Sequence, residues 1–513
     1  MRTIRRSGPL VLALAILLAA AACSTFTNLD KFGGQKLTWG PCAAFTIAES
    51  DKERFADPAL DCAYLQVPLD YSHTDGQAGQ IAVLRRKATG PGTRIGSLLV
   101  NPGGPGASGI EFAAMLVTRL GDGPIAQRFD LVGFDPRGVG ASKPRIQCYT
   151  GAEHDAVRLD VVVGTSPAAV ARLEDRAKDF ARKCSERSGG DAVLANMGTR
   201  DAAKDMDILR AALGDTKLTY LGYSYGTGLG TAYAEEYPQN VRALVLDGAV
   251  DPNQNAIDAS INRASAIQHA FDAFAAWCAI QGDCPLGPDP AKATEAYHQL
   301  TWPIIDHPVT LRDGRKLSYT DTVLGTYAAL YNPVAWGFLK RALGELVHGR
   351  GEPLMVLADI MQGRQSDGGY NGLMDIAYAI ACLDSDPIKD PAQALELDKR
   401  VRAAAPVLDD GRGPNPARDN CAFWPVPGTR PPHVPRISGL PQVMVISTTG
   451  DPATPFQQGV NLAKDLGARL LTVEGTQHGA ALEGNACVDD IVTRYLVDLV
   501  LPPEGARCAA QPK

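Results

Sequence analysis

Leu218-Thr219-Tyr220-Leu221-Gly222-Tyr223-Ser224-Tyr225-Gly226 decides how this chain is read. A short apolar run enters Gly-Tyr-Ser-Tyr-Gly, and Thr227 to Tyr237 continues as a helical stretch stopped by Pro238. A serine between two glycines at a strand-to-helix turn is held outward at the edge of a sheet. So tight a turn leaves no room for Cβ atoms at the flanking positions. The pentapeptide alone is a weak signal. Its weight depends on a base, an acid and oxyanion donors elsewhere in the chain.

Short β-branched or leucine-rich runs surround it: Leu65-Val67, Ile81-Leu84, Ser97-Val100, Phe129-Phe134, Val241-Leu246, Val443-Ser447 and Leu470-Val473. They alternate with helical stretches, which predicts an α/β fold, a mostly parallel sheet with helices on both faces. Several runs are continuously apolar, as strands buried on both faces are. Between Leu246 and Val443 the alternation stops. Helical patterns there (Ile261 to Ile280, Val334 to His348, Pro353 to Met361) lead into a Pro/Gly-rich exit from Gly411 to Pro435. Such a block, inserted late in the sheet, predicts a large, mainly helical cap over the carboxyl ends of the strands, where ligands bind. The expected division is a leader over 1–22, a tether and mature start over 23–60, core over 61–252, cap over 253–438, and core again over 439–513.

A chain of 513 residues is too long for one compact hydrophobic unit, so two domains or one large insertion are expected. Hydrophobic content of 45% and charged content of 21% are those of an ordinary globular protein. The formal charge of −7 becomes −10 when the three arginines of the leader are removed. An acidic chain without a basic stripe argues against a nucleic-acid partner. Arg2, Arg5 and Arg6 followed by apolar Leu10 to Leu18 and Ala20-Ala21-Ala22 read as a secretory signal. Small residues directly before Cys23 also fit a bacterial lipobox, in which Cys23 is lipidated, although Ala20 departs from the usual leucine. Plain signal-peptidase cleavage is the alternative. The expected place is therefore outside the cell, anchored to the outer face of the membrane through Cys23 or else secreted, as a monomer.

Eleven cysteines are present, and setting Cys23 aside leaves an even set: Cys42, Cys62, Cys148, Cys184, Cys278, Cys284, Cys382, Cys421, Cys487 and Cys508. In an exported protein an even set predicts disulfides. Connectivity does not follow from sequence. Pairing of nearest neighbours is the expectation, most firmly for Cys278 and Cys284, where Gly282-Asp283-Cys284-Pro285 turns the chain back. No C-x-x-C pair occurs, so no metal site is expected.

A serine hydroxyl needs a base within hydrogen-bond reach to act as a nucleophile. Six of the eight histidines follow Ser224, and five of those fall in the cap or its exit. The sixth, His478, directly follows the last run of the alternating pattern and so lies on a loop at the same sheet edge as Ser224. Asp451, in Gly450-Asp451-Pro452-Ala453-Thr454-Pro455, ends the run before it, 27 residues ahead of His478. An acid there would hold the imidazole in the correct tautomer. For the oxyanion, the backbone N–H of Tyr225 is one candidate donor and that of Gly104, in Asn101-Pro102-Gly103-Gly104-Pro105-Gly106, is the other. Pro105 has no N–H, and no Gly-Lys-Ser/Thr follows the loop, which argues against phosphate binding. Asp135 and Arg137, in Asp135-Pro136-Arg137-Gly138, are expected to brace loops. Glu235-Glu236 is expected to be a solvated helix face.

These stretches, with Cys421-Ala422-Phe423-Trp424-Pro425 and the segment containing Cys487 and Cys508, together resemble exported bacterial tripeptidyl aminopeptidases. That group consists of proline-iminopeptidase-like serine peptidases of the α/β-hydrolase fold. The resemblance covers nearly the whole mature chain and is greatest to lipid-anchored cell-envelope members described as carboxylesterase A, which show esterase and protease activity. It implies a triad of Ser224, Asp451 and His478, and places Thr454 at a threonine near the nucleophile. It implies a peptide or ester substrate and no cofactor. An aminopeptidase also needs a cap carboxylate for the substrate's ammonium, for which Asp384 and Asp386 are the candidates. A carboxylesterase or lipase acting on envelope esters is the rival reading. A non-catalytic envelope binding protein is the more distant one.

Overall fold

The computed structural model describes residues 32–48 and 51–509, so the leader and Cys23 lie outside the described residues. Ten strands form one sheet: β1 Gly40–Pro41, β2 Leu60–Pro68, β3 Ala78–Arg86, β4 Gly96–Asn101, β5 Phe129–Phe134, β6 Leu218–Tyr223, β7 Val241–Asp247, β8 Met444–Thr448, β9 Arg469–Val473 and β10 Arg507–Cys508. Their order is β1-β2-β3-β5-β4-β6-β7-β8-β9-β10. The first three are antiparallel, and β5 onward is parallel. All eight runs singled out in the sequence are strands. β4, β5, β6 and β8 are buried at every residue, as strands covered on both faces are.

Period-two alternation sends neighbouring side chains to opposite faces. Leu98 and Val100 join one core with Leu221, Val245 and Ile446, beneath α1 (Gly109–Leu120) and α13 (Ala486–Asp498). Leu99 joins the other with Val132, Tyr220 and Leu244, beneath α4 (Thr199–Ala212), α5 (Tyr225–Glu236) and α12 (Phe456–Leu466). The register sets Asn101 opposite Gly222 and Tyr223 opposite Asp247, which brings three strand ends to one edge.

The cap has its own core. Helices α6 (Ala256–Ile280), α7 (Tyr319–Leu330), α8 (Trp336–Val347) and α9 (Glu352–Gln362) enclose Phe271, Phe274, Trp336, Leu339 and Leu354. Helices α10 (Leu373–Leu383) and α11 (Pro391–Ala404) complete it. A second insertion, which the sequence division left in the core, also packs there. Helices α2 (Gly151–Leu159) and α3 (Pro167–Ser188) share a cluster of Tyr149, Phe180, Ile376, Ile380 and Trp424 with α10 and the exit segment. Arg158 of α2 locks this in, pairing with Asp321 of α7 at 2.8 Å and Asp359 of α9 at 2.7 Å.

The ten cysteines pair as nearest neighbours: Cys42–Cys62, Cys148–Cys184, Cys278–Cys284, Cys382–Cys421 and Cys487–Cys508. Asp135 is buried and accepts from Ser108 Oγ at 2.7 Å and from the N–H groups of Ile110 and Ala141. Burial pushes its carboxyl up to about 6 despite those bonds. Arg137, also buried, donates to both oxygens of Asp205 at 2.8 and 2.6 Å and to the carbonyl of Leu69. The acidic pair on α5 is a solvated face only in part: Glu236 is exposed, whereas Glu235 is half-buried. Glu235 binds His433 at 2.7 Å and Arg430 at 3.4 Å, tying the cap's exit to the core, and Glu236 pairs with Arg200. The reason is long-range: the cations arrive from the exit segment and from α4. Among the described residues no helix is long and apolar enough to cross a membrane, and no cluster of His, Cys, Asp or Glu could hold a metal.

Candidate active site

Ser224 sits between β6 and α5 with φ 54 and ψ −124, a left-handed backbone that an L residue adopts only under constraint. Its neighbours supply the constraint. A Cβ on Gly222 would lie 2.5 Å from the carbonyl oxygen of Gly226, and one on Gly226 would lie 2.9 Å from that of Asn101. The Ser224 N–H donates to the carbonyl of Asp247 at 2.9 Å.

Across the sheet edge, His478 Nδ1 is 2.9 Å from both oxygens of Asp451. The N–H groups of Ala453 and Thr454 donate to Asp451 Oδ1, each at 2.8 Å, and Thr454 Oγ1 donates to Oδ2 at 3.0 Å. Thr454 is therefore bonded to Asp451 rather than to Ser224. Burial would push the imidazole pKa down. The Asp451 charge and hydrogen bond, with Asp247 nearby, outweigh it and raise it above the ordinary 6.5. Nε2, on the other side of the ring, has no partner among the described residues, and neither does Ser224 Oγ. Catalytic hydrogen bonds commonly tighten only once substrate is bound.

Three residues that the sequence reading missed hold His478 in place. Asp247 is fully buried, and its Oδ2 accepts from the N–H groups of Ala480 and Ala481, each at 2.7 Å. Its backbone holds Ser224 and its side chain holds the histidine loop, so one residue spans both. Burial pushes its carboxyl up to about 6. Gly248, with φ 62, lies against the imidazole, and a Cβ there would fall 3.2 Å from His478 Cε1. The backbone carbonyl of Tyr331, from the cap, accepts the backbone N–H of His478 at 2.8 Å, and the Tyr331 ring packs edge-on to the imidazole at 5.2 Å. For Asp247 and Gly248 the available signal was Leu246-Asp247-Gly248 closing a strand at the same edge as Ser224. Tyr331 carried no signal.

The glycine loop presses on the nucleophile turn. A Cβ on Gly103 would lie 2.5 Å from the carbonyl of Tyr223 and 3.0 Å from the N of Tyr225. Gly103 donates its N–H to Asn101 Oδ1 at 2.9 Å, whereas Gly104, exposed and at φ 109, donates its N–H to no partner among the described residues. Tyr225 opens α5, so its N–H has no acceptor within the helix and carries the helix's positive end. The glycine loop and the Tyr225 N–H thus lie side by side next to Ser224, where a tetrahedral oxyanion would need its donors.

The two cap carboxylates part company. Asp386 is exposed. Asp384 is largely buried and accepts from the Thr199 N–H at 3.2 Å and from the Thr199 hydroxyl. A cavity of about 400 Å³ between α3, α6, α11 and the exit segment touches none of these residues.

Residues 96–485 match the family described as alpha/beta hydrolase fold. The chain is 46% identical to Serine protease Hip1 of Mycobacterium tuberculosis over 483 residues, 93% of this chain and 91% of that one. It is likewise 46% identical to Carboxylesterase B of Mycobacterium tuberculosis over 474 residues, 92% and 90% of the two chains. Tripeptidyl aminopeptidase of Streptomyces coelicolor is 32% identical over 465 residues, 88% and 83%.

Proposed function

Because the chain belongs to the α/β-hydrolase family and is a serine hydrolase, we propose that it cleaves peptide and carboxylic ester bonds by acyl transfer through Ser224, His478 and Asp451. The observation that carries this is the His478–Asp451 contact at 2.9 Å at the edge where Ser224 is held in a strained turn. Asp451 keeps the proton on Nδ1, so Nε2 is the basic nitrogen. It takes the Ser224 proton as Oγ attacks the carbonyl carbon. The N–H groups of Tyr225 and Gly104 hold the oxyanion. As the tetrahedral species collapses, the proton passes from Nε2 to the leaving amine or alcohol. Water then attacks the acyl-enzyme, with His478 again as base.

Cleavage of tripeptides from free N-termini, with esterase activity beside it, is the finer reading. Relatives called serine protease, carboxylesterase and tripeptidyl aminopeptidase support it jointly. A panel of peptides with free and acetylated N-termini and a p-nitrophenyl ester tests it. Release of tripeptides from free peptides alone is expected; cleavage of acetylated peptides at equal rates would replace it with endopeptidase activity. Ester turnover without any peptide cleavage would leave a carboxylesterase. We place the protein outside the cell, anchored through Cys23. Five disulfides, which persist in oxidising compartments, support export.

The raised pKa of His478 fixes the sign of the pH dependence. The base works only when neutral, so kcat/KM should fall as pH drops through the histidine pKa. The midpoint of that limb should lie above 6.5. A pH–rate profile on the ester measures it, and a midpoint at or below 6.5 would contradict the coupling of His478 to Asp451.

A further inference from the structure

Helix α10 of the cap touches the oxyanion elements at both of its ends. At its start, Leu373 and Ile376 lie over Gly106, two residues beyond Gly104. A Cβ on Gly106 would fall 2.6 Å from Ile376 Cγ2 and 2.7 Å from the Leu373 carbonyl oxygen. At its far end Asp384, the C-cap residue, binds Thr199, and Thr199 Oγ1 lies 2.5 Å from the Tyr225 hydroxyl. Thr199 is fully buried and has one hydroxyl proton. That proton goes to Asp384 Oδ2, so the Tyr225 O–H donates to Thr199. The chain of donors therefore runs in one direction, from the ring of Tyr225 to the cap.

The helix is itself pinned. Cys382 is bonded to Cys421 of the exit segment, and the Leu383 carbonyl accepts the Thr429 N–H at 2.6 Å. On the core side, a Cβ on Gly198 would meet Asp384 Oδ1 and Leu383 Cβ at 3.6 Å, so core and cap are in close contact there.

We infer that Thr199 and Asp384 are positioning residues that act through the Tyr225 side chain to fix its backbone N–H, so that the cap, through α10, holds both walls of the oxyanion hole. This rests on the acyl-transfer reading above. It gives Asp384 a different task from binding a substrate's ammonium, and the two tasks predict different kinetics. A positioning residue acts on every substrate and mainly on kcat, because the oxyanion exists only in the transition state. An ammonium partner acts only on substrates with a free N-terminus and mainly on KM.

The test uses the full mature protein with Thr199→Val, Asp384→Asn, Tyr225→Phe, the Thr199→Val/Tyr225→Phe pair and Thr199→Ser. A p-nitrophenyl ester and a free peptide are the substrates. For each of the first three, kcat should fall roughly tenfold on both substrates, a fraction of the 10²–10³ that a whole oxyanion donor is worth. KM should stay nearly constant, and inactivation by a fluorophosphonate should slow in parallel. The double variant should fall no further than either single one, since both break the same chain. Thr199→Ser, which keeps the hydroxyl, should restore kcat. Loss confined to the free peptide and to KM would overturn the inference in favour of ammonium binding. Additive losses, or unchanged kcat on the ester, would also overturn it. Tyr225→Phe removes a single hydroxyl and keeps the ring, so it decides the matter even where Asp384→Asn fails to fold. Labelling of wild-type Ser224 by the same fluorophosphonate is the separate check on acyl transfer, so failure of that reading is distinguishable from failure of this one.

Discussion

Ser224→Ala is expected to lower kcat/KM by about 10⁵- to 10⁶-fold and to abolish labelling by a fluorophosphonate, while leaving the fold intact. The size follows from the loss of the group proposed to form the acyl-enzyme; knocking out such a serine alone removes nearly all that its triad contributes. What survives, about 10³- to 10⁴-fold over water, is the work of the oxyanion donors and of binding. The fold should be indifferent because the Ser224 side chain makes no capping bond to α5 and has no partner among the described residues. Alanine carries the same Cβ as serine at φ 54, so the strain of the turn is the same in both. The thermal midpoint of the variant should match that of the wild type. Persistent labelling at wild-type rate would move the nucleophile elsewhere, and a large loss of stability would mean the turn depends on the hydroxyl.

The features that were legible from sequence are those whose signal is local. The sheet could be read because each strand announces itself: Leu98-Leu99-Val100 and Val443-Met444-Val445-Ile446 are apolar without a break because both faces of the sheet are covered. The turn at Ser224 could be read because steric exclusion demands glycine at 222 and 226. His478 and Asp451 could be paired because each follows a strand, and parallel strands deliver such loops to one edge. Contacts set by the cap carry no such signal. Thr199 and Asp384 are 185 residues apart and meet only because the cap packs against the start of the core helix α4. Helices α2 and α3 lie between two core strands in sequence, and nothing local says that their apolar faces point at α10. Glu235 looks like any exposed helical acid until His433 and Arg430 arrive from 195 residues and more away. Asp247 was hidden by its ordinariness, since an aspartate closing a strand before glycine is usually a turn. Its buried carboxylate is visible only when the 478 loop is in place.

Asp451→Asn should cost about 10³- to 10⁴-fold in kcat, and the structure explains why so small a change is so damaging. Both oxygens of Asp451 are 2.9 Å from His478 Nδ1, but their other partners differ. Oδ1 accepts two backbone N–H groups, from Ala453 and Thr454, which cannot become acceptors. An asparagine must therefore place its carbonyl at the Oδ1 position and its NH₂ at Oδ2. Thr454 can accommodate that by turning its hydroxyl round to accept. The imidazole accommodates it poorly, because Nδ1–H, although still within reach of the carbonyl at the Oδ1 position, would also face an amide N–H at Oδ2. Relief comes from moving the ring proton to Nε2, and in that tautomer the nitrogen facing Ser224 is no longer basic. The loss should appear in kcat for peptide and ester alike. The acidic limb of the pH profile should move down, because the charge that holds the His478 pKa up has gone. Asp247 would not take over: it remains near the ring, but among the described residues no hydrogen bond joins it to the imidazole, and its Oδ2 holds Ala480 and Ala481. A loss of less than about tenfold in Asp451→Asn would reverse the assignment, and a collapse in Asp247→Asn in its place would identify Asp247 as the acid.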